Sequence, residues 1–158
     1  MQAKPLPSAE FIVLVALLNA MVAMSIDTML PAIGAIATEL GAADPNSRQF
    51  IVTALFAGIT IGTLIYGPWS DSLGRKPTIV IGLCFYALGS LICLFSVNFP
   101  MIIAGRLVQG FGAAAPRIVS IAMVRDGQAG AAMARVMSLV MMVFMLVPML
   151  GASIGQLV

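Results

Sequence analysis

The chain has 158 residues, of which 61% are hydrophobic and only 9% are charged, and its formal net charge is +2. Soluble domains carry about 25% charged residues, so this composition excludes most soluble enzymes and predicts an integral membrane protein. The small net charge does not indicate a nucleic-acid partner, and a sequence without histidine excludes histidine-based triads and imidazole metal sites.

Five apolar segments follow one another along the chain and predict five membrane-spanning α-helices. Each is long enough for a hydrocarbon core of about 30 Å and too continuously apolar for a barrel strand. An all-helical protein is expected because lipid offers backbone amides no hydrogen-bond partner. After a cytoplasmic N-terminus at 1–10, the predicted helices cover about 11–37, 50–66, 78–97, 101–124 and 136–158.

The loops predict the orientation of the chain. Cytoplasmic loops of membrane proteins are rich in Lys and Arg, and five such residues fall on one side of the predicted helices while only Arg48 falls on the other. The N-terminus is therefore predicted to be cytoplasmic. The same imbalance argues against a small homo-oligomeric exporter with dual topology. The five residues are Lys4, Arg75, Lys76, Arg125 and Arg135.

Two charged residues inside apolar segments, Asp27 and Arg106, are the strongest candidates for a functional site. A charge at the bilayer centre costs about 2.5–3.5 kcal/mol, and such residues usually line a pathway or pair with each other. A rise of about 1.5 Å per residue places both at similar depth in the outer half of the membrane, where an ion pair is possible. Such a pair is either a static contact between helices or a protonatable acid whose release from Arg106 is coupled to transport.

A second arginine of the fourth segment, Arg117, lies about three helical turns after Arg106 and on the same face. Its position nearer the cytoplasm favours a side chain that extends along apolar surface to the interface. Gly58 and Gly62 in the second segment have the spacing that lets membrane helices approach closely.

The short polar segment between the second and third helices reads Gly67-Pro-Trp-Ser-Asp-Ser-Leu-Gly-Arg-Lys-Pro77. Its glycines permit a tight turn, and Asp71 is suited to cap the start of a short helical segment. Pro77 suits the first turn of the next helix. Arg75 and Lys76 favour a cytoplasmic location for the loop.

This segment resembles the signature loop of the major facilitator superfamily, which reads roughly G-x-L-x-D-r-x-G-R-K. Trp69 stands in place of the usual Leu and Ser72 in place of the usual Arg. The matching residues are Gly67, Asp71, Gly74, Arg75 and Lys76. In relatives the loop arginine pairs with an acid at the end of the fourth helix, which the resemblance assigns here to Asp126.

Three further segments carry the same resemblance. Arg106-Leu-Val-Gln109-Gly110-Phe-Gly112-Ala is similar to the family pattern R-x-x-Q-G-x-G-A, in which the arginine is linked to proton coupling. Pro148-Met-Leu-Gly151-Ala-Ser-Ile-Gly155 is similar to the antiporter motif, without its usual Gly-Pro pair. Asp27-Thr-Met-Leu-Pro31 resembles drug:proton antiporters of the bicyclomycin/chloramphenicol-resistance type.

The resemblance implies the first five transmembrane helices of the N-terminal six-helix half of a twelve-helix transporter that works by alternating access. The implied protein is no enzyme but an N-terminal fragment of a proton-coupled multidrug efflux transporter of the bacterial inner membrane. Its implied partners are the lipid bilayer, small amphipathic or cationic drugs and the remaining C-terminal helices. Protons are the implied coupling ion, with no other cofactor and no metal.

Two alternatives remain open at this point. One is an exporter of sugars, siderophores or other metabolites within the same superfamily. The other is a truncated half-protein that does not transport.

Overall fold

A computed structural model of the chain describes residues 9–27, 34, 47–127 and 130–155. Within these ranges the structure is all-helical and has no β-strand, in agreement with the expected fold class. Its five long helices, numbered in chain order, are α1 (Ala9–Asp27), α2 (Ser47–Ser72), α3 (Arg75–Leu94), α4 (Phe99–Gly127) and α5 (Gly130–Gly155).

Three of these helices are long and apolar enough to cross a membrane over their described residues, namely Gln49–Ser72, Arg75–Leu94 and Phe99–Gly127. The other two contribute shorter apolar stretches, Ala9–Ser25 and Met133–Met142. One face of α3 is lined with exposed large apolar side chains, as expected for contact with lipid rather than with water. They include Val80, Leu88, Leu91 and Leu94.

The helical bounds around the polar segment differ from those predicted. Helix α2 continues to Ser72, beyond the predicted end at 66, and α3 begins at Arg75. The backbone N–H of Leu73 still donates to the Trp69 carbonyl at 2.8 Å, so helical bonding continues past the proline at position 68. The connection turns at Gly74, whose φ of 95° is in the left-handed region that favours glycine.

Helix α4 is the central element of the described structure. It packs along α2 on one side and along α3 on the other, whereas α1 packs mainly against α5 and also contacts α4. One buried cluster includes Leu55 of α2 and three consecutive alanines of α4, at 113–115. A second joins Val15 of α1, Val124 of α4 and Val140 of α5.

Glycines allow these close contacts, as the spacing of Gly58 and Gly62 predicted. A Cβ added at Gly58 would collide with the carbonyl oxygen of Leu107, and one added at Gly110 with the carbonyl oxygen of Leu55. The backbones of α2 and α4 therefore touch, a geometry that small residues make possible between membrane helices.

The Gly110 contact predicts a large loss of stability in the Gly110→Ala variant. The obstructing Leu55 oxygen belongs to the backbone, so relief requires the two helices to separate, and overpacking of this kind costs about 1–3 kcal/mol. Gly127→Ala is the matched control, because a Cβ at Gly127, on the same helix, meets nothing within 4 Å. Thermal unfolding of the purified protein in detergent should show a lower midpoint for Gly110→Ala alone, and equal midpoints for the two variants would contradict the contact.

Candidate functional site

A chain of partly buried hydrogen bonds runs from α4 into α3 and begins at Arg106. The Nη1 of Arg106 donates to Oε1 of Gln109 at 2.8 Å, and Nε2 of Gln109 donates to Oγ of Ser90 at 2.9 Å. The Ser90 hydroxyl in turn donates to the backbone carbonyl of Tyr86 at 2.9 Å. Gln109, in the middle of the chain, is only 6% exposed, whereas Arg106 and Ser90 are partly buried.

Arg106 retains unused capacity for hydrogen bonding. Its Nε is buried and has no hydrogen-bond partner within the described part of the chain. A buried charged group that is only partly satisfied is energetically costly, so a functional partner is expected near it. The sequence identifies Asp27 as the candidate ion-pair partner of Arg106.

A separate hydrogen bond joins α1 to α3 close to Asp27 in the sequence. The Ser25 hydroxyl lies 2.6 Å from the Tyr86 hydroxyl and 2.8 Å from the Met21 carbonyl. Since the serine proton points to that carbonyl, Tyr86 is the donor and Ser25 the acceptor. Ser25 precedes Asp27 by two residues on the same helix, and the Asp27 side chain itself lies outside the described structure, so its pairing with Arg106 stays a prediction.

The sequence reasoning missed Ser25, Tyr86 and Ser90. The available signal was their polarity within apolar segments, together with the i, i+4 spacing of Tyr86 and Ser90 on one helical face. That signal is weak because single hydroxyl side chains in membrane helices commonly bond to their own backbone, as Ser90 also does here.

The loop that carries the signature motif forms a second charged site, centred on Arg75 at the start of α3. Its Nη1 is 3.0 Å from Oδ1 of Asp71, in the last turn of α2. Its Nε and Nη2 are 3.1 and 2.9 Å from Oδ2 of Asp126, in the last turn of α4. Arg75 also donates to the buried hydroxyl of Ser70. The structure thus brings Arg75 and Asp126 together. The Arg75 guanidinium, at the start of α3, bonds to the last turns of α2 and α4.

The expected helix-capping role of Asp71 is wrong. Asp71 lies inside α2 rather than before a helix, and its carboxylate binds Arg75. The N-cap position of α3 belongs to Gly74, which offers no side-chain hydrogen bond. Because α2 continues through Asp71, the Asp71 carboxylate pairs with Arg75, four residues later in the chain.

The remaining candidate residues fall into three groups. Gly110 and Gly112 pack against the backbones of α2 and α3, which gives this part of the α4 motif a clear structural role. Around the loop, Gly67 borders open space and Lys76 is exposed. The last three belong to α5, but their side chains and contacts lie outside the described structure: Pro148, Gly151 and Gly155.

A cleft of about 100 Å³ opens between α1, α4 and α5. Of its lining side chains in the described ranges, Asn19 of α1 and Arg117 of α4 are polar and the others are apolar. The apolar ones are Ile121, Val140, Met141 and Phe144.

Comparison with known proteins identifies the family. Residues 14–158 match the model described as Major Facilitator Superfamily. The uncharacterized MFS-type transporter YdgK of Bacillus subtilis is 38% identical over 84% of this chain and 33% of its own length. The bicyclomycin resistance protein homolog of Haemophilus influenzae is 35% identical over 92% of this chain and 36% of its own length.

A third relative carries the name multidrug resistance protein MdtL, from Salmonella paratyphi C, and is 29% identical over 84% of this chain and 33% of its own length. The chain spans about a third of the length of these curated relatives. The family match covers all five described helices from within α1 onward, and it agrees with the three apolar helices of membrane-spanning length. The chain belongs to the major facilitator superfamily and is a multi-pass membrane protein.

Proposed function

We propose that this chain is the N-terminal part of a proton-coupled multidrug efflux transporter of the bacterial inner membrane. The observation that carries the proposal is the partly buried Arg106–Gln109–Ser90 chain between α4 and α3. A cation held inside a membrane bundle usually marks a substrate or ion pathway. The names of two relatives, a bicyclomycin resistance homolog and a multidrug resistance protein, support drugs as the substrate class.

In the proposed mechanism, Asp27 alternates between a protonated state and a charged state that pairs with Arg106. The Arg106 guanidinium can donate to a carboxylate without losing its bond to Gln109, because its Nε–H has no partner in the described structure. Protonation of Asp27 would release Arg106, and this exchange would couple proton entry to drug exit.

The cytoplasmic loop has a separate proposed role as a latch. Arg75 joins the ends of α2, α3 and α4 through Asp71 and Asp126, and all three charged side chains are partly or largely exposed to solvent. Exposed ion pairs contribute little stability, roughly 0–1 kcal/mol each, so they can exchange partners during a conformational change. The Lys and Arg bias of the loops supports a cytoplasmic N-terminus and a cytoplasmic location for this latch.

The test of the proposed function is transport by the full-length protein in proteoliposomes. An inwardly directed proton gradient is expected to drive drug in the opposite direction, and a protonophore should abolish this movement. Residues 1–158 alone serve as a control expected to be inactive, because alternating access needs two opposed halves. Failure of the folded full-length protein to move any drug under a gradient would contradict the proposal, and gradient-driven movement of sugars alone would instead assign a metabolite exporter.

A further inference from the structure

The cleft between α1, α4 and α5 has an unusual distribution of charge for a site inside a drug transporter. Among its lining residues in the described structure, Arg117 is the only ionisable one, Asn19 is the only other polar one, and the rest are apolar. Arg117 is exposed in the described structure, so its guanidinium is accessible from the cleft.

Arg117 lines the cleft from α4. It precedes Asp126, which pairs with Arg75 in the last turn of α4, by nine residues, or roughly 13 Å along the helix. Charged residues within membrane helices usually line a cavity or pathway rather than face lipid.

No carboxylate of the described structure neutralises Arg117. The two acids that form ion pairs, Asp71 and Asp126, both bind Arg75. Two further acids belong to α1: Glu10 lies nine residues before Asn19, or roughly 13 Å along that helix, and the Asp27 side chain lies outside the described structure. Arg117 forms no hydrogen bond or ion pair with any residue in the described ranges.

The other lining residues complete a site for a small amphipathic molecule. Asn19 uses one amide hydrogen to bond the Val15 carbonyl at 2.8 Å, which leaves its second N–H and its Oδ1 for a ligand. Met141 and Phe144 of α5 add polarisable and aromatic surface to the lining of the cleft. The cleft thus combines one cation, one amide and an apolar wall.

We propose that this cleft selects amphipathic substrates that carry a carboxylate, with Arg117 as the residue that determines this specificity. A guanidinium offers paired N–H donors in the geometry of a carboxylate, and it repels a cationic group placed at the same point. This inference rests on the proposed export function and narrows its substrate class, since a purely cationic drug would not be favoured at this position.

The test measures binding to the full-length transporter in nanodiscs made only of zwitterionic phosphatidylcholine. The probes are 1-naphthaleneacetic acid and 1-naphthaleneacetamide, which share a ring system and differ in whether the polar group is a carboxylate. The unaltered protein is expected to bind the acid about tenfold more tightly than the amide, which corresponds to one strong charge-assisted contact. Arg117→Gln should abolish this preference, and Arg117→Lys should reduce it because the paired donors are lost.

Arg135→Gln is the matched control, since it removes the same charge from an exposed position on α5 outside the cleft. It should keep the full preference for the acid. Each variant is first checked by thermal unfolding, and Arg117→Lys provides the test if Arg117→Gln does not fold. Equal binding of acid and amide by the unaltered protein, or an unchanged preference in the Arg117 variants, would overturn the proposal.

Two further arms separate other outcomes. Loss of acid binding when stoichiometric phosphatidylglycerol is added would identify a lipid headgroup as the occupant and overturn the proposal. Because the readout is binding, it is independent of transport. Drug transport without any preference for the acid would refute this inference alone, whereas selective binding without transport would refute the proposed export function alone.

Discussion

Replacing Arg106 with alanine in the full-length transporter is expected to reduce proton-driven drug transport by about tenfold or more. The substitution removes a charge-assisted hydrogen bond to Gln109, and such bonds contribute about 1.5–3 kcal/mol, or roughly ten- to a hundredfold in a rate that depends on them. It also leaves Oε1 of the buried Gln109 without its donor. Initial rates of drug movement in proteoliposomes under a fixed proton gradient provide the measurement.

Two companion variants distinguish a coupling role from a packing role for Arg106. Arg106→Lys retains the positive charge and should recover part of the transport if the charge is what matters. Ser90→Ala removes the far end of the same hydrogen-bond chain without touching the charge, so it should have a smaller effect than Arg106→Ala. Transport by Arg106→Ala at the rate of the unaltered protein would contradict the coupling role.

Asp27→Asn is expected to abolish proton-coupled efflux while leaving membrane insertion largely intact. Asparagine has nearly the shape of aspartate but cannot carry a negative charge or exchange a proton near neutral pH. In the proposed mechanism, Arg106 would then lack its ionic partner, and proton entry would no longer release it. Drug efflux measured across a range of external pH should lose its dependence on the proton gradient.

The control for this substitution is Glu10→Gln, which makes the same change of charge on the same helix at an exposed residue of its first turn. It should transport normally. Gradient-dependent efflux by Asp27→Asn that matches the unaltered protein at every pH would remove Asp27 from the coupling mechanism. Poor expression of the variant would be separated from loss of coupling by its thermal unfolding profile.

Several properties were predictable from local sequence. The low charged fraction and the long apolar segments predict membrane helices, because lipid cannot satisfy an exposed backbone. The Gly58 and Gly62 spacing correctly predicts a close helix contact, since glycine leaves no side chain between the backbones. The position of the polar segment was predicted as well, although α2 extends further through it than expected because helical bonding continues to Leu73.

Composition and motifs were therefore enough to predict the membrane class, the family resemblance and the charged residues inside the helices. The contacts between helices required the folded structure: Gln109 with Ser90, Ser25 with Tyr86, and Arg117 with the cleft beside Asn19. The pattern of apolar and polar residues along one helix defines the faces of that helix. It does not define how the helix is rotated or shifted along its axis relative to a neighbouring helix. Those are decided by packing between helices distant in sequence, here by the close approach of glycines on α4 to the backbones of α2 and α3.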